Sequence, residues 1–207
     1  MAEDPSTYTE VDANSHISAT SSRMTGSGIN RSEIAYAYYD KGADYFDALD
    51  IDFDINISNL DANDMIGVLG ISNTLNHIGA FGSSDIKVLG YFPSGQQARL
   101  YISTSAVSDY MQITVGTTYY CTLARAAGNA TVDLKVYSDS GRTTLLDTLT
   151  INISTASTKH RYIYGISSQY TNNNYAASGY VENVIINAVG GQSVVPIMMA
   201  HRRRRIA

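Results

Sequence analysis

Asp50, Asp52 and Asp54 alternate with Leu49, Ile51, Phe53 and Ile55. In an extended chain this pattern lines three carboxylates along one face, at a Cβ spacing of about 7 Å. Two carboxyls about 5 to 9.5 Å apart across a cleft can cleave a glycosidic bond, so the spacing permits that chemistry. Carboxylates so placed also repel one another until water, a Lys or Arg, or a hard cation intervenes, and the plainer reading is a solvated or cross-strand-paired face. Asp61, Asn63 and Asp64 offer three oxygen-bearing side chains within one short loop, the chemistry Ca²⁺ prefers. An ordinary turn is the plainer reading of them, and calcium is the only cofactor for which the sequence makes any case. Tyr164, Tyr170, Asn173 and Tyr175 set flat rings beside an amide around the polar run Thr171 to Asn174, a combination that suits stacking and hydrogen bonding to a sugar. Tyrosine is equally at home in strands and at protein interfaces.

Other reactive residues form no constellation. His16, His77, His160 and His201 are scattered and Cys121 is the lone cysteine, so neither a zinc cage nor an internal disulfide can be assembled from local spacing. There is no Gly-x-Ser-x-Gly elbow, phosphate loop or dinucleotide glycine motif. No catalytic residue is designated, and the chain is read as non-enzymatic.

The elements that must position these residues are strands. Period-two alternation over Leu49 to Ser58 recurs at Ile34 to Tyr38, Met111 to Val115, Tyr119 to Leu123 and Val132 to Val136. Further strands are expected at Ile66 to Ile71, Ile86 to Phe92, Arg99 to Thr104, Leu145 to Ile153, Arg161 to Ser167 and Tyr180 to Ala188, about ten or eleven in all by the pattern rules. A single helical turn is expected within Asp40 to Ala48. So many half-apolar strands must cover one another's faces, which predicts an all-β, two-sheet antiparallel jelly-roll sandwich over residues 1–189. Residues 190–207 form a short C-terminal tail.

Composition sets further bounds. With 207 residues, 44% apolar and only 16% charged, the chain can bury a core. The formal charge is −5, but four of the fourteen basic residues are Arg202, Arg203, Arg204 and Arg205, leaving ten against nineteen acids, or −9, for the rest. An acidic body repels nucleic acid, so any such contact falls to the arginine tail. No run approaches the ~18 apolar residues of a membrane span, and the first ten residues lack the basic start and apolar core of a secretory signal. The tail joins Val194, Val195, Ile197 and Met198 to the four arginines, an apolar and cationic pair of surfaces suited to docking on a neighbouring subunit.

The order of segments resembles the concanavalin A-like, laminin G-like jelly rolls, in particular those of phage and environmental virus-like structural proteins. The resemblance is carried by Asp40-Lys41-Gly42, Tyr45-Phe46 and the Leu49 to Ser58 strand, and by Gly70 to Asn73. It continues through Gly116 to Tyr120, the Val136 to Thr143 hairpin, Leu145 to Leu149 and Gly179 to Val184. It implies a virion structural, decoration or adhesion protein, made in a host cytoplasm and placed in the virion. Its partners would be other virion or assembly subunits, a homo-oligomer, or surface glycans. The alternative it implies is an extracellular, lectin-like carbohydrate-binding module, with a polysaccharide-cleaving enzyme behind that. The cleaving branch carries a Glu-x-Asp-x-x-Glu strand, which Asp50 to Asp54 does not match.

Deleting residues 192–207 is expected to leave the melting temperature unchanged while weakening self-association in sedimentation runs. Loss of folding on truncation would place the tail in the core.

Overall fold

The computed structural model describes residues 1–60, 62–169 and 175–187. Fourteen strands form two antiparallel sheets of seven. In chain order they are β1 (Thr9–Asp12), β2 (Ile17–Ala19), β3 (Arg23–Asn30), β4 (Ala35–Asp40), β5 (Leu49–Asn59), β6 (Met65–Ser72) and β7 (Ile86–Tyr91). There follow β8 (Arg99–Ser103), β9 (Ser108–Gln112), β10 (Thr118–Arg125), β11 (Thr131–Tyr137), β12 (Leu145–Asn152), β13 (Tyr162–Ser167) and β14 (Ala176–Ile186). Sheet A runs β12-β11-β10-β5-β14-β3-β2 and sheet B runs β1-β4-β13-β6-β7-β8-β9. This is the expected jelly-roll sandwich.

The alternation of β5 explains its central place. Leu49, Ile51, Phe53, Ile55 and Ile57 all point inward and are buried, where they meet Ile66, Leu69, Ile71, Val88 and Ile166 of sheet B within one continuous core. Each such side chain contributes about 1.5 to 3 kcal/mol on leaving water. Cys121 lies in the same core, its thiol held protonated by burial, and is inert as its alternating position suggests.

Three strands escape the sequence reading, and for physical reasons. β1 and β2 are edge strands of only four and three residues, too short to display a period, and β3 carries Gly26 and Gly28, which read as turn residues. Gly26 is there for packing, because a Cβ at that position would lie 2.8 Å from the Ile166 Cγ2 atom across the core. The helical turn expected within Asp40 to Ala48 does not form. Gly42 and Asp44 take left-handed backbone angles of 93° and 60°, and Phe46 pairs instead with His160. The two 3₁₀ turns lie at Pro5–Thr7 and Ile78–Ala80. The strand expected over Met111 to Val115 stops at Gln112, where Thr114 N–H donates to the Tyr119 hydroxyl at 2.9 Å.

Half-burial also fails at the centre of sheet B, where every residue of β6 is buried. A strap, residues 73–85, crosses the outer face there and seats Ile78 over Gly67 and Phe81 over Gly70. An added Cβ would lie 2.8 Å from Ile78 Cδ1 at the first glycine and 2.8 Å from Phe81 Cε2 at the second. The Tyr164 hydroxyl donates to the Thr74 carbonyl at 2.5 Å, and the Ser167 hydroxyl accepts from Ile78 N–H at 3.0 Å. Asp85 closes the strap by accepting from Gly82 N–H at 2.7 Å and from Asn73 N–H at 3.2 Å.

Gly70→Ala is expected to cost about 1 to 3 kcal/mol, the range for overpacking a filled site, because the rigid Phe81 ring must give way. Chemical denaturation checks it, and an unchanged midpoint would show that the strap is not held on this floor.

Candidate functional site

Beside the strap, the outer face of sheet B opens into a cleft. Alternation along β7 places Lys87, Leu89 and Tyr91 on this face, while β8 contributes Ser103, Tyr101 and Arg99 opposite them in register. β9 continues the rows with Ser108, Tyr110 and Gln112. The result is a cleft of about 390 Å³, lined by Lys87, Leu89, Tyr91, Tyr101, Met65 and the Thr104 to Ser108 turn, with Gln169 at the strap side. The turn is rigid, since the Thr104 hydroxyl accepts from Ala106 N–H at 3.0 Å and Val107 N–H at 3.1 Å. The strap backs Gln169 closely: a Cβ on Gly79 would fall 1.8 Å from the Gln169 carbonyl oxygen.

Three tyrosines cross the cleft and its rim. Ring centroids are 6.0 Å apart from Tyr91 to Tyr101 and 5.0 Å from Tyr101 to Tyr110. Arg99 lies over the Tyr110 ring at 4.0 Å and donates to the Tyr101 hydroxyl at 3.0 Å, which holds both rings in place. Its other terminal nitrogen bonds Gln96. Tyr110 remains 43% exposed at the outer end. Such a row, partly open and backed by hydroxyl and amide groups, can take the apolar face of a sugar while polar neighbours meet its hydroxyls.

Charge is the other feature of the cleft. Lys87 is only 6% exposed yet makes no hydrogen bond or ion pair with any described residue. Burial lowers its pKa, and nearby Asp85 offsets the effect in part. Arg31 lies with its guanidinium carbon 6.0 Å from the Tyr91 ring centre and donates to Gln169 Oε1 at 3.0 Å and to the Asn63 carbonyl. None of the described residues lining the cleft is Asp or Glu.

Of the glycan and calcium candidates singled out from sequence, Tyr164, Tyr175, Asn63 and Asp64 are described, and none of them lines the cleft. Tyr164 is fully buried against Tyr36, Ile78 and Phe81, so it anchors the strap and its ring cannot meet a sugar. The sequence reading chose it as a ring beside the polar run and could not see the strap that covers it. Tyr175 is exposed, its carbonyl accepting from Arg31 N–H at 3.0 Å. Tyr170 and Asn173 lie outside the described residues, as does Asp61. Asn63 turns its carbonyl to Arg31, and Asp64 is buried. Among the described residues no three of His, Cys, Asp and Glu gather as a metal site. The tail residues Val194, Val195, Ile197, Met198 and Arg202 to Arg205 are outside the described residues.

The acidic strand is a paired face. Arg142 reaches Asp54 at 2.9 Å and Asp52 at 3.5 Å. Thr122 donates to Asp52 at 2.5 Å, Asn183 to Asp54 at 2.8 Å, and Asn187 to Asp50 at 3.1 Å and to Asp52 at 3.0 Å. Arg142 is held in the turn after β11, where Asp139 accepts from Thr143 and Thr144 N–H groups, which pull its carboxyl down to about 2.

No family model and no curated protein matches the chain. Solved structures share its fold. A legume lectin-like domain from Entamoeba histolytica superposes with a TM-score of 0.59 at 10% identity, covering 92% of this chain and 97% of that one. An alginate lyase, PA1167, from Pseudomonas aeruginosa gives 0.50 at 7% identity over 86% and 88% of the two chains. A sialidase gives 0.59 at 11% identity over 88% of this chain but 17% of its own. The protein thus has a two-sheet jelly-roll fold like that of these structures. Among the described residues no helix is long and apolar enough to cross a membrane.

Lys87→Met is expected to stabilise the protein by about 1 kcal/mol, a rise of about 2 to 4 °C in Tm, because it removes a desolvated charge without an internal partner. The lowered pKa fixes the sign of the pH dependence. The penalty is present at neutral pH and is relieved as pH rises through the folded-state pKa toward the ordinary lysine value, so the gain should shrink at alkaline pH. Paired melting curves at two pH values check this.

Proposed function

We propose that this protein is a non-enzymatic carbohydrate-binding module of lectin-like type, with the outer face of sheet B as its glycan-contacting surface. The observation that carries the reading is the row Tyr91, Tyr101 and Tyr110, fixed by Arg99 beside a 390 Å³ cleft. That volume lies within the usual range for small-ligand sites, about 300 to 1,000 Å³. The fold shared with a legume lectin-like domain supports the reading without adding to it residue by residue. The non-catalytic reading rests on two arrangements. Asp50, Asp52 and Asp54 are engaged with Arg142, Thr122, Asn183 and Asn187 on the other sheet. The described residues of the cleft offer no carboxylate pair.

The virion structural or decoration role expected from the sequence rests on the tail, which lies outside the described residues, and on the family resemblance alone. It therefore stands behind glycan binding. An adhesion protein joins the two readings, because such a module would recognise glycans wherever the chain is mounted, on a particle or outside a cell. A glycan array followed by calorimetry tests the proposal. Millimolar or tighter binding is expected, reduced at least about tenfold in Tyr101→Ala, the scale of losing one stacked ring. Failure to bind any glycan, or binding indifferent to Tyr101, would overturn it.

A further inference from the structure

Five of the ten cations outside the tail face no carboxylate at ion-pair distance among the described residues; Arg125 is spent on the Phe46, Asp47 and Thr158 carbonyls and Lys135 is exposed on sheet A, while the other three surround the cleft. Arg23, Lys41, Arg142, Lys159 and Arg161 each face a carboxylate within ion-pair distance. Lys87, Arg99 and Arg31 face none among the described residues, although acids outnumber bases nineteen to ten once the terminal arginines are set aside. A protein with surplus carboxylates has left three cations unneutralised around one cleft. Arg99 and Arg31 spend part of their donors on Tyr101, Gln96, Gln169 and the Asn63 carbonyl. Lys87 spends none on the protein, and at 6% exposure overall its ammonium is left to whatever enters the cleft. Asp85, the carboxylate whose field reaches it, is committed to the strap through Gly82, Asn73 and Thr74. A buried ammonium without a partner is costly, and the open side of the cleft is the direction from which compensation can come.

We infer that the cleft selects an acidic sugar residue, carboxylated or sulfated, whose anion meets Lys87 while its ring lies against Tyr101 and Tyr91. This rests on the glycan-binding reading above and deepens it. The alternation that brings Tyr91 and Tyr101 to the outer face also brings Lys87 there, two residues along β7 from Leu89 and opposite Ser103. Ring platform and charge are thus set at adjacent positions of one rigid sheet. Ser103, Ser105 and Ser108 line the same cleft, and their hydroxyls are the groups that can meet the remaining oxygens of the anion. A neutral sugar would leave Lys87 desolvated further with no counter-charge, so discrimination arises from a penalty on the neutral ligand as well as a gain for the charged one.

Calorimetry on the full chain tests this with three probes: a β-1,4-linked hexauronate, the same oligosaccharide with its carboxyl groups reduced to alcohols, and a sulfated galactan hexasaccharide. At least one anionic probe is expected to bind about tenfold or more tighter than the reduced oligosaccharide. The advantage should shrink between 50 and 500 mM salt, as a charge contact must. Which anionic probe binds identifies carboxylate or sulfate. Lys87→Met should bring charged and neutral probes within about twofold of each other without lowering Tm. Should that variant misfold, amide spectra of the unmodified protein serve instead. Lys87, Tyr101 and Ser103 must shift with the anionic probe and remain in place at matched concentrations of the neutral one. Equal binding of charged and neutral probes, still lost in Tyr101→Ala, would overturn the selection of anions and leave the glycan cleft standing. Binding of no probe, or binding unchanged in both variants, would overturn the two together.

Discussion

Mutual burial of the two sheet faces is the constraint on which the rest of the structure depends. Strand β5 presents five apolar side chains on one side, Leu49 to Ile57, and five polar ones on the other, Asp50 to Ser58. Neither face can be reassigned without reversing every residue of the strand, because the side-chain period is two. Once Phe53 and its neighbours are committed inward, the strands paired to β5 inherit their register, as Cys121 opposite Phe53 and Val181 opposite Ile55 illustrate. The outward faces are then also determined, and each sheet must find its own solution for what lies there.

The two solutions differ. Sheet A carries acid outward and neutralises it within the sheet, with Arg142 and a set of hydroxyl and amide donors drawn from β10, β14 and the turn after β11. Such a face is finished: its charges have partners and it offers little to a ligand. Sheet B uses two glycines at its centre as a floor for the strap, which fills the middle of the outer face with Ile78 and Phe81. The strap divides what remains into a tyrosine patch over β4 and β13 and the cleft over β7 and β8.

That cleft is where local rules of stability are set aside. Lys87 would be better solvated at an edge, and the remaining charges show that the chain has carboxylates enough to pair it. A buried charge left without a partner destabilises the free protein, and such departures gather at functional sites. The strap contributes indirectly, since Asp85 is held by Gly82, Asn73 and Thr74 and is thereby kept from forming a close ion pair with the lysine.

The division between sequence and tertiary structure follows from range. Alternation alone determined the all-β class, the inward set of β5 and most of the strands, because period two is a local property of an extended backbone. Charge counting likewise set the acidic character of the body. Sequence could not decide which outward faces stay open. Tyr164 and Tyr101 both alternate with core residues, and only the strap, which pairs Gly70 with Phe81 across the fold, buries one and leaves the other beside a cleft. The same holds for charge: Asp54 and Lys87 are both outward and both largely buried, yet one meets Arg142 from a turn 88 positions away and the other meets no carboxylate. Contacts between residues so distant in sequence depend on the packing of the sheets and their connecting loops, and no local spacing encodes them.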